Sequence, residues 1–330
     1  MTDNCVLGGN RTRLPTVLIT GGTGYIGCHL IRSLVSGDAE RMGLGAVHYV
    51  HFKQDALPVS ESSCGGSIVP HRVDLADSKA VLDVVLEVMP DTIVHLAALS
   101  ITAQCEADPV RAELLNVQNV RNVLEAVHAV RQTGRSCRLI HFSTEWVYGM
   151  RPHELSMHLE LSPTELTGFG VYGSTKLEAE RLVAASSDVV VLRSALVYGL
   201  QSPYTSRGTF LQFITKGLRS GRVELFHDAY LTPVFISDVL QAIRQSLQLK
   251  QVAGCVVINL GGPERLSRFD MGRLTADVLG AQSVIVPVSR SDFDEKRPAD
   301  LSMNTSRLRE VLGVQPTPFR DALLQIRERL

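Results

Sequence analysis

Residues 21–27 read Gly-Gly-Thr-Gly-Tyr-Ile-Gly. They sit directly after a short apolar run, Thr16 to Thr20, and directly before a stretch with helical spacing, Ile26 to Val35. An apolar run ending in glycines reads as a buried parallel strand, so the order is strand, tight turn, helix. Few folds use that junction. Gly21 permits the turn, Gly24 lets a phosphate approach the backbone, and Gly27 lets the helix pack on the sheet. The helix start offers unpaired N–H groups and a positive dipole end to a pyrophosphate. Glycine spacing alone is weak evidence; the strand–turn–helix setting gives it weight. Gly21, Thr23, Gly24, Tyr25, Ile26 and Gly27 are therefore the first candidate dinucleotide contacts.

The rest of the chain keeps this rhythm for about 200 residues. Apolar runs near Ala46–Val50, Ile68–Val73, Thr92–Leu96, Arg138–Phe142 and Val189–Leu192 alternate with helical patterns at Lys79–Met89, Asp108 to about Val130, and Val171–Ala185. Such alternation predicts βαβ units and a parallel sheet. The fold class is α/β, a Rossmann-type doubly wound parallel sheet with a smaller C-terminal substrate lobe. After Gly199 the rhythm breaks at the Ser-, Pro- and Thr-rich stretch Gln201–Gly208. The expected organisation is a flexible tail over 1–15 and a dinucleotide-binding domain over 16–199, to which 234–260 returns. Residues 200–233 and 261–330 would form the substrate lobe. Ser267-x-x-Asp270 reads as a capping box opening a helix to Leu279.

The formal net charge of -1 excludes a global basic field, and with it the usual signature of nucleic-acid or anionic-membrane binding. The best membrane candidate, Val189 to Leu200, is too short and carries Arg193. The start of the chain lacks the apolar run of a signal peptide. Six scattered cysteines form no C-x-x-C pair and no zinc spacing. They read as reduced thiols of a cytoplasmic protein, and no metal is expected.

Cofactor choice rests on the end of the second strand. An acid there would hold the ribose 2′-hydroxyl of NAD. The segment reads His48-Tyr49-Val50-His51-Phe52-Lys53, with no acid before Asp55. His51 and Lys53 suit the 2′-phosphate of NADP, so NADP(H) is preferred and NAD(H) is the alternative.

Tyr172 and Lys176 stand at i and i+4 on a predicted helix, hence on one face. Tyr49 and Lys53 have the same spacing on a strand, where it separates them by about 13 Å. Free tyrosine has a pKa near ~10, and a nearby ammonium lowers it. A tyrosine–lysine pair on a helix can thus exchange a proton with a carbonyl substrate at neutral pH. Thr144, closing the fifth strand, is placed to hydrogen-bond the substrate oxygen.

Glycine loop, strand-end hydroxyl and Tyr-x-x-x-Lys, in that order, resemble the extended short-chain dehydrogenase/reductase superfamily. The resemblance runs from Thr16 to the C-terminus. It implies that Thr144, Tyr172 and Lys176 are catalytic, the last two also touching cofactor. It implies that Asp74 and Leu75 flank the adenine and that Leu96, Ala97 and Ala98 line the cofactor channel. Asn116 and Arg193 complete the implied cofactor set. Within the superfamily the chain is most similar to the dTDP-4-dehydrorhamnose reductase branch. Ser143-Thr144-Glu145-Trp146-Val147-Tyr148, Tyr172–Glu180, Thr232–Asp238 and Arg297-Pro298 carry that similarity. Sugar-nucleotide 4,6-dehydratases place an aspartate and a glutamate after the threonine. Here Glu145 is acidic, but Trp146 cannot be a base. Epimerases usually carry small residues there and fit less well, though a sugar-nucleotide epimerase stays an alternative.

The implied activity is NADP(H)-dependent reduction of a 4-keto nucleotide sugar, with hydride to C4 and a proton from Tyr172. Thr144, Glu145 and Arg297 would contact the substrate, Arg297 through its diphosphate. The same branch includes the regulatory beta subunit of methionine adenosyltransferase. A non-catalytic NADP-binding subunit, partnered by the methionine adenosyltransferase catalytic subunit, is therefore the alternative from another class. The superfamily also implies a homodimer through the helices beginning at Asp108 and Val171.

Overall fold

The computed structural model describes residues 14–58, 67–149, 158–205, 208–250, 252–293 and 298–330. Nearly all of the expected tail over 1–15, the cysteines Cys5 and Cys64, and Arg297 lie outside the described residues.

The chain opens with strand β1 (Thr16–Thr20), buried throughout, and helix α1 (Tyr25–Ser33). A short helix α2 (Ala39–Arg41) leads to β2 (Ala46–His51) and β3 (Ser67–Arg72). Helix α3 (Ser78–Val88) starts where the Asp77 side chain accepts a hydrogen bond from Ala80 N, and stops at the left-handed Met89 before Pro90. Strand β4 (Thr92–His95) follows. The single helix expected from Asp108 to Val130 is instead divided. Helix α4 (Thr102–Ala107) and α5 (Pro109–Glu113) precede a π-helical turn over Leu114–Gln118, and α6 (Asn119–Gln132) continues from it. The extra residue in that turn points Asn116 inward, where its amide bonds neighbouring segments; helical periodicity in the sequence cannot reveal such a bulge.

Strand β5 (Arg138–Thr144), α7 (Gly170–Ala184) and β6 (Val189–Ser194) complete the first half. Beyond them come β7 (Val197–Tyr198), α8 (Phe210–Arg219), β8 (Arg222–Phe226), β9 (Tyr230–Leu231), β10 (Val234–Phe235) and α9 (Ile236–Gln248). The chain ends with β11 (Cys255–Leu260), β12 (Leu266–Ser267), α10 (Arg268–Leu279), β13 (Val284–Val288), α11 (Ser306–Leu312) and α12 (Phe319–Ile326).

Seven parallel strands form the main sheet in the order β11-β6-β5-β4-β1-β2-β3. Strand parity separates its two faces. Val17, Ile19, Val47, Val94, Ile140 and Leu192 face the side that buries α1 and α9. Leu18, Val50, Ile93, Leu139 and Val191 face α3, α6 and α7. Helices on both faces make a doubly wound Rossmann-type α/β fold. The chain reverses direction across the sheet between β1 and β4, so the crevice at their carboxyl ends is the topological switch point.

Arg138, at the start of β5, is buried. Its Nε donates to Asp188 Oδ1 at 2.9 Å, and its Nη atoms donate to the carbonyls of Ser246, Leu249 and Lys250 at 2.7–3.0 Å. A cation at the end of α9 satisfies that helix's last carbonyls and ties it to the sheet. Outside the sheet, β8 pairs with β13 in parallel, β9 with β12 antiparallel, and β7 with β10 in parallel.

Candidate active site

A cleft of about 440 Å³ lies at the carboxyl ends of the central strands. Its floor is the glycine loop. Gly21 has φ +69°, and a Cβ there would stand 2.8 Å from Ala97 N. A Cβ on Gly27 would stand 2.3 Å from Gly21 O. The loop and α1 can therefore be this close only with glycine at both positions. Helix α1 has no side-chain cap and no acid in its first turn. Its N–H groups and dipole end are thus available to an anion. Gly21, Thr23, Gly24, Tyr25, Ile26 and Gly27 all line the cleft. Tyr25 is braced by its hydroxyl, which donates to Leu200 O at 3.1 Å.

The other sequence-derived cofactor residues divide. Leu96 and Ala98 line the cleft, while Ala97 lies beneath Gly21. His51 stands half-buried at the end of β2, its Nδ1 2.9 Å from Gln54 O. Lys53 is exposed, and Gln54 rather than either of them reaches the cleft. Asp74 accepts from Ala76 N at 3.1 Å, and the Leu75 carbonyl accepts from Asn122 Nδ2 at 2.7 Å; neither lines the cleft. Asn116 Oδ1 accepts from Leu99 N at 2.7 Å, and its Nδ2 donates to Leu99 O and Thr175 Oγ1 at 3.1 Å. It fastens the segment after β4 to α7 instead of touching the cleft. Arg193 also points elsewhere. Its side chain is wholly buried against Glu180, on the α7 face of β6. The family resemblance implies a cofactor contact for Arg193, but strand parity turns its side chain inward.

Thr144, Tyr172 and Lys176 meet in the cleft. Thr144 ends β5, where its Oγ1 accepts from Trp146 N at 3.3 Å. Tyr172 stands in the first turn of α7, edge-on to Trp146 with ring centroids 6.2 Å apart. Lys176, one turn later, is buried and donates to Phe142 O at 2.5 Å. Burial pulls its pKa down to about 8, partly offset by the Glu180 carboxylate. Two neutral imidazoles lie deeper. His95 and His141 stack 5.6 Å apart, and His95 Nδ1 is 2.8 Å from Thr20 Oγ1. Burial and the Lys176 charge keep both far below the usual histidine range. The decoy pair is separated: Tyr49 is fully buried and Lys53 exposed.

Glu145 lines the cleft next to Thr144. Burial pushes its carboxyl up to about 8, moderated by Arg268, and its Oε2 has no hydrogen-bond partner among the described residues. At neutral pH it is mostly a carboxylic acid able to donate a proton-bearing hydrogen bond. Trp146 packs between Phe169 and Tyr172. Arg297 lies outside the described residues. Sequence reading missed Phe210 and Arg268, which also line the cleft. Arg268 directly follows the Ser267 cap, so the capping box fixes its place on α10 but not its direction.

Among the described residues, no group of three or more metal-capable side chains converges, and no helix is long and apolar enough to cross a membrane.

Residues 15–330 match the family model described as RmlD substrate binding domain. The chain is 27% identical over 326 residues to methionine adenosyltransferase 2 subunit beta of Bos taurus, covering 96% of this chain and 89% of that one. It is 26% identical over 324 residues to dTDP-4-dehydro-6-deoxy-D-allose reductase of Streptomyces bikiniensis, covering 93% and 94%. Among solved structures, dTDP-4-dehydrorhamnose reductase from Bacillus anthracis in complex with NADP superposes with a TM-score of 0.74 at 19% identity, covering 96% and 99%. MoeE5 in complex with UDP-glucuronic acid and NAD also gives 0.74, at 26% identity, covering 95% and 99%.

Proposed function

Because the chain belongs to the RmlD substrate-binding family, we propose that it is an NADP(H)-dependent reductase of a 4-keto nucleotide sugar. The observation that carries this reading is the convergence of Thr144, Tyr172 and Lys176 on one cleft floored by an uncapped helix start.

The cofactor fits the residues present. A glycine loop packed so closely on backbone that a Cβ at Gly21 or Gly27 would collide, and a start of α1 with no side-chain cap, suit a pyrophosphate. NADPH bound there supplies the hydride. Everything else falls to the chain. Thr144 orients the carbonyl oxygen. Tyr172 donates its phenolic proton to that oxygen as it becomes an alkoxide. Lys176, as ammonium, stabilises the phenolate left behind. Glu145, largely protonated, donates to a sugar hydroxyl. Trp146 occupies the place where a dehydratase needs its base, so reduction proceeds without loss of water. His51 and Lys53 favour the 2′-phosphate of NADP, with NAD as the weaker ligand. The residues before 200, with 234–260, form the cofactor domain, and the remainder the substrate lobe. The protein acts in the cytoplasm as a homodimer.

An NADPH-oxidation assay with several 4-keto nucleotide sugars tests this. Turnover that disappears in Tyr172→Phe is the expected result. Tighter binding of NADH than of NADPH would overturn the cofactor assignment.

A second reading has its own support, the 27% identity to the bovine methionine adenosyltransferase beta subunit. Absence of turnover with every sugar, together with binding of a purified methionine adenosyltransferase catalytic subunit, would replace the reductase by a regulatory, NADP-binding role.

A further inference from the structure

Three polar side chains stand in one row across the main sheet. Thr20, His95 and His141 are register partners on β1, β4 and β5, and all are buried. Strand parity puts them on the face that α6 and α7 cover, each two residues beyond Leu18, Ile93 or Leu139 of the apolar core there. The proposed reduction uses none of them.

The hydrogens on this row follow from its contacts. Ala97 N donates to Thr20 Oγ1 at 3.4 Å, which leaves the Thr20 hydroxyl to donate to His95 Nδ1 at 2.8 Å. His95 then carries its proton on Nε2. That N–H, both ring nitrogens of His141 and the Ser143 hydroxyl are buried without a hydrogen-bond partner among the described residues. Burial and the Lys176 charge keep His141 neutral, so it offers one donor and one acceptor. Buried polar groups are rarely left unpaired, and a set mixing donors with acceptors is what an internal water needs. A cation there would be repelled by Lys176.

Lys176 borders the same space. Its Nζ donates to Phe142 O at 2.5 Å. The side chains flanking Phe142 on β5, those of His141 and Ser143, project on the face that α7 covers. The Phe142 carbonyl takes one of the three ammonium donors. The other titratable groups around Lys176 are Tyr172 and Glu180 on α7, His95 on β4, Arg193 on β6 paired with Glu180, and Glu145 at the cleft wall.

We propose that His95, His141 and Ser143 bind an internal water that accepts a hydrogen bond from the Lys176 ammonium, which makes His141 a positioning residue for that lysine. The ammonium is held on its inner side by the water and the Phe142 carbonyl, and its remaining donor faces the cleft.

The test follows the lysine signals of the full chain, labelled with 13C-lysine, by NMR against pH. Loss of a signal in Lys176→Met identifies Lys176. The measurement reads the lysine directly and needs no substrate, so its result is independent of the reductase reading. Wild type should titrate near 8. His141→Phe removes both ring nitrogens and with them the water, which deprives the ammonium of an acceptor. Its midpoint should fall by on the order of one pH unit, and His141→Gln, which keeps a donor and an acceptor, should restore most of it. A crystal structure of the wild type should show an ordered water within hydrogen-bond distance of His141 and of Lys176 Nζ. No such water overturns the site. Equal midpoints in wild type and His141→Phe overturn the positioning role. Should His141→Phe not fold, Ser143→Ala decides by the same titration: a lowered midpoint supports the role and an unchanged one overturns it.

Discussion

Arg193 and Glu180 form a wholly buried ion pair, with 2.7 Å between Nη2 and Oε2 and the Nε atom 3.1 Å from both carboxylate oxygens. Tyr148 completes the arrangement, its hydroxyl accepting from Nη1 at 3.1 Å and donating to Asn259 Oδ1 at 2.6 Å. Glu180 lies one helical turn beyond Lys176, so the pair both locks α7 onto the sheet and places a carboxylate near the Lys176 ammonium. Removing one partner leaves an uncompensated buried charge. We expect Glu180→Gln to cost about 3–5 kcal/mol in denaturant unfolding. A change below about 1 kcal/mol would mean that the pair is not holding the helix.

Tyr172→Phe removes one oxygen from the cleft and keeps the ring that meets Trp146 edge-on. With a substrate that turns over, kcat should fall by about 10²–10⁴ while NADPH affinity is retained. A parallel loss of NADPH binding would show that the hydroxyl serves the cofactor site instead of the proton transfer.

Lys176 titrates at about 8 because burial disfavours its charged form. Activity that needs the ammonium should decline as pH rises through about 8, well below the usual lysine value of 10.5. Stability moves the other way. The unfolded chain holds this proton up to 10.5 and the folded chain releases it near 8, so this group makes the fold more stable as pH rises across that window. A pH–rate profile flat to pH 10 would contradict the first expectation.

Glu145 carries the opposite slope. Its carboxyl is raised from 4.5 to about 8, so the unfolded chain ionises first and stability falls as pH rises between those values. Glu145→Gln cannot ionise. Relative to wild type it should gain about 2–4 kcal/mol at pH 8 and little at pH 4.5, read from chemical denaturation at each pH. An equal gain at both would place the effect in packing.

Gly27→Ala puts a methyl group 2.3 Å from Gly21 O, a contact that only a shift of the loop or of α1 relieves. NADPH affinity should drop at least tenfold, or about 1.4 kcal/mol, in fluorescence titration. Gly134→Ala serves as a control for glycine loss in general. There a Cβ meets nothing within 4 Å, and although φ of +84° strains the backbone, the position lies outside the cleft lining. Its NADPH affinity should match wild type.

Much of this is legible in the sequence. The run Thr16–Thr20, the three glycines and the Tyr172–Lys176 spacing are local patterns, and each maps onto one element or one junction. What was not legible depends on direction. Arg193 and Arg268 both look, in sequence, like arginines beside a strand or helix terminus. One is turned into the protein by strand parity, the other into the cleft by the position of Phe210, and neither fact is encoded nearby. The short strands β8 and β13 pair across 62 residues, Arg222 with Val284, so their partner is equally invisible to local periodicity. The inward turn of Asn116 has the same origin, a bulge whose purpose lies in Leu99 and Thr175.

Strand β11 closes the edge of the main sheet against β6, residue by residue from Cys255–Val189 to Leu260–Ser194. The carbonyls that hold Arg138 come from residues 246–250, nearly as late in the chain. A ribosome that has delivered only the first 200 residues has therefore made a sheet with an open apolar edge and an arginine that has Asp188 but not yet its carbonyl acceptors. The seven-stranded sheet is contiguous in outline but not in its completion. Its folding has to wait for the last third of synthesis, and a nascent chain stalled at that stage would be a natural client for chaperones.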